Sequence, residues 1–350
     1  MRILCVEPKE YFIDIIDNDS LNDIDVEFDG YKFYGKNTNW FNKYDAVLSV
    51  QYLWPVSNIV VSKSKAAGIP TYLLTDGIIE WNNCFYHPAV LKSKKRLFQY
   101  ILHDFVLCPG DYESSFISDR SFSYLPKKLQ INEKIMNNDA RRARVLLTTA
   151  NSAYFDEREL TEIIYLLNLT INQLKKLGVE FILRVFDESI LQGIHNLHGS
   201  DIENDVKNTF EHVLSKVSSV ITTPSSIVVT SMLADKPTCQ LIYRDSPLFL
   251  QSGWMIHRSC DLKSTLLELI NSNPERMSFQ RNILKKNYRT MPLSKVIEKG
   301  NSKFTMKDGS FDINNEYRSM LESPYNINIE FFLRSLVKKF KLIKSRLIKK

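Results

Sequence analysis

The chain has 350 residues, of which 44% are hydrophobic and 25% are charged, and these values are ordinary for a globular protein. Two domains are expected at this length, because one domain usually takes up roughly 100–200 residues. The formal net charge is +6, but the segment 331–350 carries eight Lys or Arg and no acid, so residues 1–330 have a net charge of −2. This distribution argues against a nucleic-acid-binding protein, whose positive surface should lie on the folded domains.

The five cysteines are far apart, form no CxxC pair and lie mostly within apolar runs. They are predicted to be buried free thiols in a reducing compartment. The six histidines show no metal-ligand spacing, so no tightly bound metal is predicted. The N-terminal apolar run is too short for a signal peptide, and no segment approaches the about 20 apolar residues of a membrane-spanning helix. A cytoplasmic location is therefore expected.

Short apolar runs alternate with segments of helical periodicity through most of the chain. In the first half, strands are predicted at 3–6, 46–50, 70–74 and 105–108, and helices at 89–101 and after a capping Asp111. In the second half, strands are predicted at 145–149, 179–185, 219–223 and 238–243, and helices at 156–177, 205–217, 225–235 and 262–271. This alternation is typical of α/β domains that are built on parallel sheets with crossover helices.

The polar and charged segment 132–144 is interpreted as a linker between two domains. The predicted domains therefore span 1–135 and 143–290. A polar connector at 295–328, either extended or wrapped back over the first domain, is expected to lead into a basic tail at 329–350.

Ligands of open parallel sheets bind beyond the carboxyl ends of the strands, and two facing sheets place that site in the cleft between them. The segment 222–226, with the sequence TTPSS, joins a predicted strand to the start of a helix. Thr223, Ser225 and Ser226 could therefore hold a phosphate together with the free N–H groups and the dipole of the helix. The same serines also fit a simple helix N-cap.

Four further residues are assigned to the same phosphate site because they lie at or just after predicted strands. Thr149 and Asn151 follow the first strand of the second domain. Arg184 and Arg244 end or follow later strands, and the planar guanidinium group matches the geometry of a phosphate. Each arginine is equally compatible with a surface ion pair.

The segment 76–81, with the sequence DGIIEW, directly follows the predicted strand 70–74. Asp76 is the first choice for a general base that deprotonates an acceptor hydroxyl, and Glu80 is the substitute. His87 is assigned as a proton donor or a ligand of the leaving phosphate. A surface turn with a capping Asp, and a structural histidine, are the alternatives. The aromatic residues that could form a platform for a sugar ring are Trp81, Phe85 and Tyr86.

The segment 219–237 resembles the donor-site block of GT-B-fold glycosyltransferases, most closely those that build bacterial capsule and lipopolysaccharide sugars. In that group the block runs from a hydrophobic strand through TPSS and a helix to GKP and another strand, and it binds the nucleotide phosphates. The segments 74–81 and 105–112 also look like segments of the same group. The resemblance covers roughly residues 70–260, with the segments in the expected order.

The resemblance implies two Rossmann-like α/β domains that face each other across a cleft. A nucleotide-sugar donor is then expected in the domain 143–290, and a glycan or lipid-linked acceptor in the domain 1–135. No metal and no cofactor besides the nucleotide sugar is expected. The chain lacks a P-loop, a GxGxxG motif, a GxSxG motif and an HExxH motif, which argues against the enzyme classes that those motifs define.

The chain departs from the pattern of the resembling group at Phe186 and at the pair Thr230 and Ser231. Phe186 stands where relatives that use CMP-activated acidic sugars or polyol phosphates carry a histidine, and Thr230 and Ser231 stand where many carry a ribose-binding glutamate. The donor base and the sugar therefore stay open. The alternatives are a polyol-phosphate transferase or nucleotide-sugar epimerase of the same fold, and a non-catalytic scaffold of a polysaccharide assembly complex.

The tail has one apolar helical face and many basic residues. This pattern predicts an amphipathic helix that lies on an anionic membrane surface, at the inner face of the cell membrane. A solvated tail and a partner-binding helix are the alternatives. The apolar face consists of Phe332, Leu336, Phe340, Ile343 and Leu347.

Overall fold

The computed structural model describes residues 1–16, 24–87, 91, 98, 101–118, 120–130, 144–150, 155–288 and 291–305. It contains two parallel β-sheets with flanking helices, which confirms the predicted fold class of two Rossmann-like α/β domains. The predicted tail helix, the linker up to residue 143 and nearly all of the predicted helix 89–101 lie outside the described residues. No helix in the described part of the chain combines the length and the apolar character needed to cross a bilayer.

The first sheet has six parallel strands in the order β2-β1-β3-β4-β5-β6. The strands are β1 (Arg2–Cys5), β2 (Asp25–Glu27), β3 (Ala46–Ser49), β4 (Thr71–Leu74), β5 (Phe105–Cys108) and β6 (Ser121–Ser123). The helices of this domain are α1 (Pro55–Ala66), α2 (Trp81–Tyr86) and α3 (Asp111–Ile117). The four central strands are buried apolar runs and match the predicted ones, whereas the edge strands β2 and β6 are short and carry no apolar run.

The second sheet has five parallel strands in the order β11-β10-β9-β7-β8. The strands are β7 (Arg144–Thr148), β8 (Glu180–Arg184), β9 (Ser219–Thr222), β10 (Thr238–Leu241) and β11 (Trp254–Ile256). The helices that follow are α4 (Glu157–Lys176), α5 (Glu188–His198), α6 (Phe210–Ser215), α7 (Ser226–Leu233), α8 (Leu262–Ile270) and α9 (Pro274–Asn287).

Each sheet reverses its strand order next to its first strand. The reversal lies between β1 and β3 in the first sheet and between β7 and β9 in the second. Loops on the two sides of such a switch point diverge and leave a crevice in which ligands bind. The two switch points are therefore the places where a site is expected.

The longest helix, α4, has clear sequence signals at both ends. The Asp156 carboxylate accepts a hydrogen bond from the Glu159 N–H at 2.8 Å, and the Glu159 carboxylate accepts one from the Asp156 N–H at 3.2 Å. This reciprocal capping box begins the helix where the sequence predicts it. Gly178, with φ of 67°, ends it in a left-handed conformation that suits glycine.

Several helices differ from the predictions, and for three of them the structure gives a local reason. The predicted helix 205–217 shrinks to α6, because the Asp205 side chain accepts hydrogen bonds from Asn208 and forms a loop there. Asp111 is the first residue of α3 rather than its cap, and Gly110 occupies the cap position. Helix α5 was not predicted, although the Asp187 carboxylate caps it by accepting from the Ile190 N–H at 2.9 Å.

The chain crosses back to the first domain after α9. Helix α10 (Leu293–Lys303) packs on the first sheet, and its apolar residues join the core around Tyr72. The Tyr72 hydroxyl donates to the Ile297 carbonyl at 3.1 Å. The predicted connector 295–328 thus begins as a helix over the first domain, and its part from 306 onward lies outside the described residues.

An apolar contact joins the two domains beside α7. Val228, Val229 and Met232 of this helix pack in one buried cluster with Leu125 and Leu129 of the first domain. Burial of these side chains fixes the start of α7 against the loops of the first domain.

Candidate functional site

Two of the predicted motifs meet at the domain boundary. The Ile78 N–H donates a hydrogen bond to the Ser226 hydroxyl oxygen at 3.2 Å. At Gly77, a Cβ atom would lie 2.8 Å from the same oxygen, so the close approach requires glycine or a shift of the serine. The segment 76–80 of the first domain therefore lies against the start of helix α7.

The β9–α7 turn lies at the switch point of the second sheet. The Thr223 hydroxyl is engaged in holding the neighbouring loop, because it accepts a hydrogen bond from the Ala150 N–H at 2.8 Å. Ser225 occupies the N-cap position of α7, but its hydroxyl makes no capping bond. The buried hydroxyls of Ser225 and Thr149 have no hydrogen-bond partner among the described residues.

A buried hydroxyl without a partner is unfavourable, because it has lost its hydration without gaining a hydrogen bond. Here Thr149 directly follows β7 and Ser225 is the N-cap residue of α7 after β9, so both lie in the loops that follow the two strands flanking the switch point. A ligand oxygen would satisfy both the hydroxyls and the first N–H groups of the helix. Asn151, which was assigned to the same site, lies outside the described residues.

A buried charge cluster lies where the second predicted motif meets the second domain. The Nε atom of Arg244 lies 3.0 Å from a Glu159 oxygen, and an Nη atom lies 3.7 Å from a Glu80 oxygen. Another Nη atom hydrogen-bonds the Tyr243 hydroxyl. The three charged side chains are at most 15% exposed, so their interactions are only weakly screened by water.

Burial raises the pKa of Glu80 to about 7, although Arg244 opposes the rise. One Glu80 oxygen accepts from the Asn83 amide at 3.0 Å, and the other is buried without a partner in the described residues. Burial also raises the pKa of Glu159. Glu159 was not predicted as a site residue, because the pattern D-x-x-E at 156–159 indicates only a helix cap.

A cavity of about 640 Å³ opens beside this cluster, between the start of α4 and the ends of β10 and β11. This volume lies in the range of small-molecule sites. Asn82 of the first domain lines this cavity. Arg258 and Glu162 also line the cavity and form a hydrogen-bonded ion pair at 2.8 Å.

A smaller cavity of about 260 Å³ lies at the carboxyl ends of the first sheet. Asp76 is at its edge with a side chain that is 79% exposed, and Lys128 lies 3.4 Å from its carboxylate. The two predicted carboxylates thus lie in different environments. Asp76 is exposed to solvent, whereas Glu80 is buried between the domains. The other polar and aromatic lining residues are Tyr11, Gln51, Tyr52, Thr75 and Phe98.

Glu7 is a buried carboxylate behind this cavity that the sequence analysis missed. It accepts hydrogen bonds from the Ser49 hydroxyl at 2.9 Å and from the Val50 N–H at 3.0 Å. Burial raises the pKa of Glu7 to about 7, although its hydrogen bonds oppose the rise. The only signal in the sequence is an acid two residues after the end of the strand β1, at the switch point of the first sheet.

Arg184 and His87 lie in positions that are typical of structural residues. One Nη of Arg184 donates to the carbonyls of Asp205 at 2.6 Å and Asn208 at 2.9 Å, so it holds this loop. Its guanidinium lies 4.9 Å from the centre of the Phe186 ring. His87 is half-buried at the end of α2, and burial lowers its pKa.

The predicted aromatic platform belongs to a longer row of rings. Trp81 lies 4.7 Å from Phe85 between ring centres, and Phe85 lies 6.3 Å from Phe116. Phe116 lies 4.9 Å from Phe249 of the second domain, so the row bridges the two domains. Tyr86 projects from it with an exposed ring.

No cluster of three or more side chains suited to hold a metal occurs among the described residues. No family model matches this chain, and no curated protein sequence is significantly similar to it.

Solved structures do match the fold. A UDP-GlcNAc 2-epimerase from Neisseria meningitidis bound to UDP-GlcNAc matches with a TM-score of 0.53 and 17% identity, over 87% of this chain and 100% of that chain. The Anabaena protein Alr3699/HepE in complex with UDP matches with a TM-score of 0.51 and 12% identity, over 87% and 100% of the two chains. A weaker match is the glycosyltransferase SnogD from Streptomyces nogalater, with a TM-score of 0.44, 12% identity and coverage of 85% and 98%. The first two matches, with TM-scores above 0.5, support the GT-B-like architecture of two Rossmann-like α/β domains.

Proposed function

We propose that this protein is a glycosyltransferase that binds a nucleotide-activated sugar between its domains and transfers the sugar to an acceptor hydroxyl. The observation that carries the proposal is the β9–α7 turn, where buried Thr149 and Ser225 hydroxyls without described partners flank the N-terminus of a helix. A diphosphate would supply the missing acceptors at that place, and the helix dipole would favour its charge.

UDP is the first candidate for the nucleotide. The Neisseria epimerase and the Anabaena protein, which share the fold, are described as bound to UDP-GlcNAc and to UDP. With the phosphates at the turn 223–226, the sugar would extend toward the segment 76–80 of the first domain. The Ile78 N–H hydrogen-bonds Ser226, so the backbone of this segment lies directly beside the proposed phosphate turn.

Glu80 and Asp76 are the two candidates for the general base. A base works best when its pKa lies near the working pH, and Glu80 meets this condition because burial raises its pKa to about 7. Asp76 is exposed at the edge of the first-domain cavity, where an acceptor could reach it. Arg244 and the N–H groups of α7 would stabilise the charge that develops on the leaving phosphate.

The proposed acceptor is a glycan or a lipid-linked saccharide of a bacterial surface polysaccharide, such as capsule or lipopolysaccharide. The small cavity of the first domain offers aromatic and polar groups to it. The basic tail 329–350 would hold the protein at the anionic inner face of the membrane, where such acceptors occur. Sedimentation of the full-length protein with anionic but not neutral vesicles, lost in Lys338→Glu/Lys339→Glu/Lys341→Glu, tests this location.

A 2-epimerase acting on a UDP-sugar is the second candidate. The observation that favours it is the pair of buried carboxylates Glu80 and Glu159, both with a raised pKa, inside one cleft. Two such groups suit the removal and return of a proton at a sugar carbon.

The decisive experiment is calorimetric titration of the protein with UDP, CMP, CDP, GDP and their sugar conjugates. One nucleotide should bind selectively, and Ser225→Ala should weaken its binding by about tenfold or more, as expected for the loss of a hydrogen bond to a charged group. Ser302→Ala, an exposed serine on α10, is the matched control and should bind as the wild type does. If none of these ligands binds, the donor site is absent and a scaffold role is favoured.

Product analysis then separates the two enzymes. Incubation with the selected nucleotide sugar alone should leave it unchanged if the protein needs an acceptor, whereas a 2-epimerase would form the C2 epimer without one. Transfer of a polyol phosphate from a CDP-polyol would instead identify the polyol-phosphate transferase.

A further inference from the structure

We propose that the first-domain cavity of about 260 Å³ binds a single sugar ring of the acceptor, and that Glu7 is the positioning residue for one of its walls. The proposal rests on the proposed function, because it names the part of the acceptor that enters this cavity. Glu7 is fully buried and does not line the cavity itself, so it acts only through the residues that do.

The size and lining of the cavity suit one sugar ring. Sites for drug-sized molecules usually measure about 300–1,000 Å³, so this smaller cavity suits one ring rather than a whole nucleotide sugar. Its aromatic rings can contact the C–H face of a sugar, and its hydroxyl, amide and carboxylate groups can hydrogen-bond the sugar hydroxyls. A ring held here lies next to Asp76, one of the two candidate bases. The aromatic and polar lining residues are Tyr11, Gln51, Tyr52, Thr75, Asp76 and Phe98.

A series of hydrogen bonds connects Glu7 to the loop that follows β3. The Val50 N–H donates to one Glu7 oxygen at 3.0 Å, and the Ser49 hydroxyl donates to the other at 2.9 Å. The Ser49 oxygen in turn accepts a hydrogen bond from the Gln51 N–H at 3.2 Å. Glu7 thus holds three consecutive residues, of which Val50 and Gln51 line the cavity.

Ser49 transmits the effect of Glu7, because a hydroxyl group has only one proton to donate. The Ser49 oxygen also lies 3.3 Å from the Gln51 carbonyl oxygen, which is a competing and more distant acceptor. The shorter bond to the carboxylate is the stronger one, so it directs the proton away from that carbonyl and leaves a lone pair for the Gln51 N–H. The Glu7 carboxylate therefore sets the orientation of the peptide groups in this wall.

Tyr52 continues the wall and brings a second ring to the cavity. Its hydroxyl accepts a hydrogen bond from the Phe98 N–H at 3.2 Å, and the two rings stack with 4.8 Å between their centres. The Tyr52 carbonyl accepts from the Asn58 amide of α1 at 2.8 Å. This anchor does not involve Glu7, so a substitution of Glu7 should shift the segment 49–51 locally and leave the rest of the loop in place.

Saturation-transfer NMR of the full-length protein with free monosaccharides tests the subsite without any nucleotide. The probes are glucose, galactose, N-acetylglucosamine and N-acetylgalactosamine at pH 8, where Glu7 is mostly ionised because burial raises its pKa only to about 7. At least one of these sugars should bind in the millimolar range. Gln51→Ala removes a lining amide and should abolish the signal, which would assign the bound sugar to this cavity.

Glu7→Gln tests the positioning role. The amide can offer its oxygen to the Val50 N–H, but its NH2 group then donates to Ser49 and turns the Ser49 proton toward the Gln51 carbonyl. We expect Glu7→Gln to weaken sugar binding by about fivefold, as for the loss of about one hydrogen bond. Ser49→Ala interrupts the same series of bonds and should have a similar effect, so it serves if Glu7→Gln does not fold. Glu298→Gln, an exposed glutamate on α10, is the control and should bind as the wild type does.

A lack of binding by all four sugars, or binding that persists in Gln51→Ala, would overturn the subsite. Wild-type affinity in folded Glu7→Gln or Ser49→Ala would overturn the positioning role of Glu7. These readouts need no nucleotide, so a failure of the proposed donor site would leave them valid. With an active enzyme, Glu7→Gln should raise the KM of the acceptor with little change in kcat or in the KM of the donor, whereas equal losses in all three would overturn the positioning role.

Discussion

Glu80 of the first domain and Arg244 of the second form an ion pair across the cleft, with 3.7 Å between a carboxylate oxygen and an Nη atom. Arg244 also pairs with Glu159 at 3.0 Å, so one cation serves two buried carboxylates from different domains. Any ligand that draws Arg244 toward a phosphate leaves the carboxylates less compensated, and this favours the uptake of a proton by one of them. Ligand binding and protonation at this cluster are therefore coupled.

The first prediction concerns the pH dependence of turnover. If Glu80 is the general base, its ionised form is the active one; because burial raises its pKa to about 7, kcat should then rise with pH through about 7 and level off. Arg244→Gln removes the positive charge that lowers the pKa of Glu80, so the midpoint of the rise in kcat should move to higher pH. The measurement is kcat over pH 5–9 with saturating donor.

Glu80→Gln and Asp76→Asn distinguish the two bases. If Glu80 is the base, Glu80→Gln should lower kcat by about 100-fold or more and remove the rise near pH 7, whereas Asp76→Asn should retain most of the turnover. The opposite result would assign the role to Asp76. A wild-type pH profile in both variants would contradict a carboxylate base in the segment 76–80.

The second prediction separates the two serines of the β9–α7 turn. Ser226→Ala removes the acceptor of the Ile78 N–H and should lower the free energy of unfolding by about 1 kcal/mol. Ser225→Ala removes a hydroxyl that has no partner in the described structure, so it should leave stability nearly unchanged but weaken nucleotide binding. Chemical denaturation and calorimetry on the same samples test this contrast, and equal losses of stability in both variants would contradict it.

The third prediction concerns Glu7 and the pH dependence of stability. The folded pKa of about 7 exceeds the ordinary value of 4.5, so the folded state holds the proton more tightly than the unfolded state. The unfolding free energy contributed by this group should therefore fall as pH rises from about 4.5 to about 7 and stay constant above that. The decrease for one group with such a pKa is at most about 3 kcal/mol.

Glu7→Gln keeps the shape of the side chain and removes its titration. Denaturation at pH 5 and pH 8 should show a smaller loss of stability in this variant than in the wild type. Glu162→Gln, a carboxylate in an ion pair with the exposed Arg258, is the comparison and should retain the wild-type slope over this range. An unchanged slope in Glu7→Gln would show that Glu7 is already ionised at pH 5.

The fourth prediction concerns the contact between α10 and the first sheet. A Cβ atom at Gly300 would overlap the Tyr72 hydroxyl and lie 2.7 Å from its ring carbon Cε1. Gly300→Ala should therefore destabilise the protein by about 1–3 kcal/mol, as overpacking does in well-packed cores. Gly35→Ala, where the added atom meets nothing within 4 Å, should be nearly neutral. Thermal unfolding checks both, and equal midpoints would contradict the close packing of α10.

The sequence predicts the parts of this fold that leave a local pattern. The apolar strands β1, β3, β4, β5, β7, β8, β9 and β10 and the capped helix α4 could be predicted, because burial and capping select residue types at fixed spacings. The three-residue strands β2, β6 and β11 could not, because strand pairing rather than composition defines them. The same limit holds for Asp205, whose hydrogen bonds to Asn208 shorten a helix that periodicity alone would extend.

The candidate site also contains residues that could be predicted from the sequence and residues that could not. Thr223, Ser225, Ser226 and Glu80 follow strands or begin helices, so their positions at the edges of the sheets could be predicted. The pairing of Glu80 with Arg244 could not be predicted, because the two residues are distant in sequence and meet only where the domains pack together. Glu159 could not be predicted as a site residue, because its capping bond with Asp156 already accounts for a glutamate at that position.

The return of α10 to the first sheet has a consequence for recombination between enzymes of this architecture. The hydrophobic core of the first domain includes Leu293, Val296 and Ile297, which are encoded after the whole second domain. A hybrid made by joining the first half of this chain to the second half of another enzyme would carry a foreign helix on that core. The exchangeable unit is therefore discontinuous, residues 1–130 together with 291–305, and viable hybrids should replace the intervening second domain as an insert.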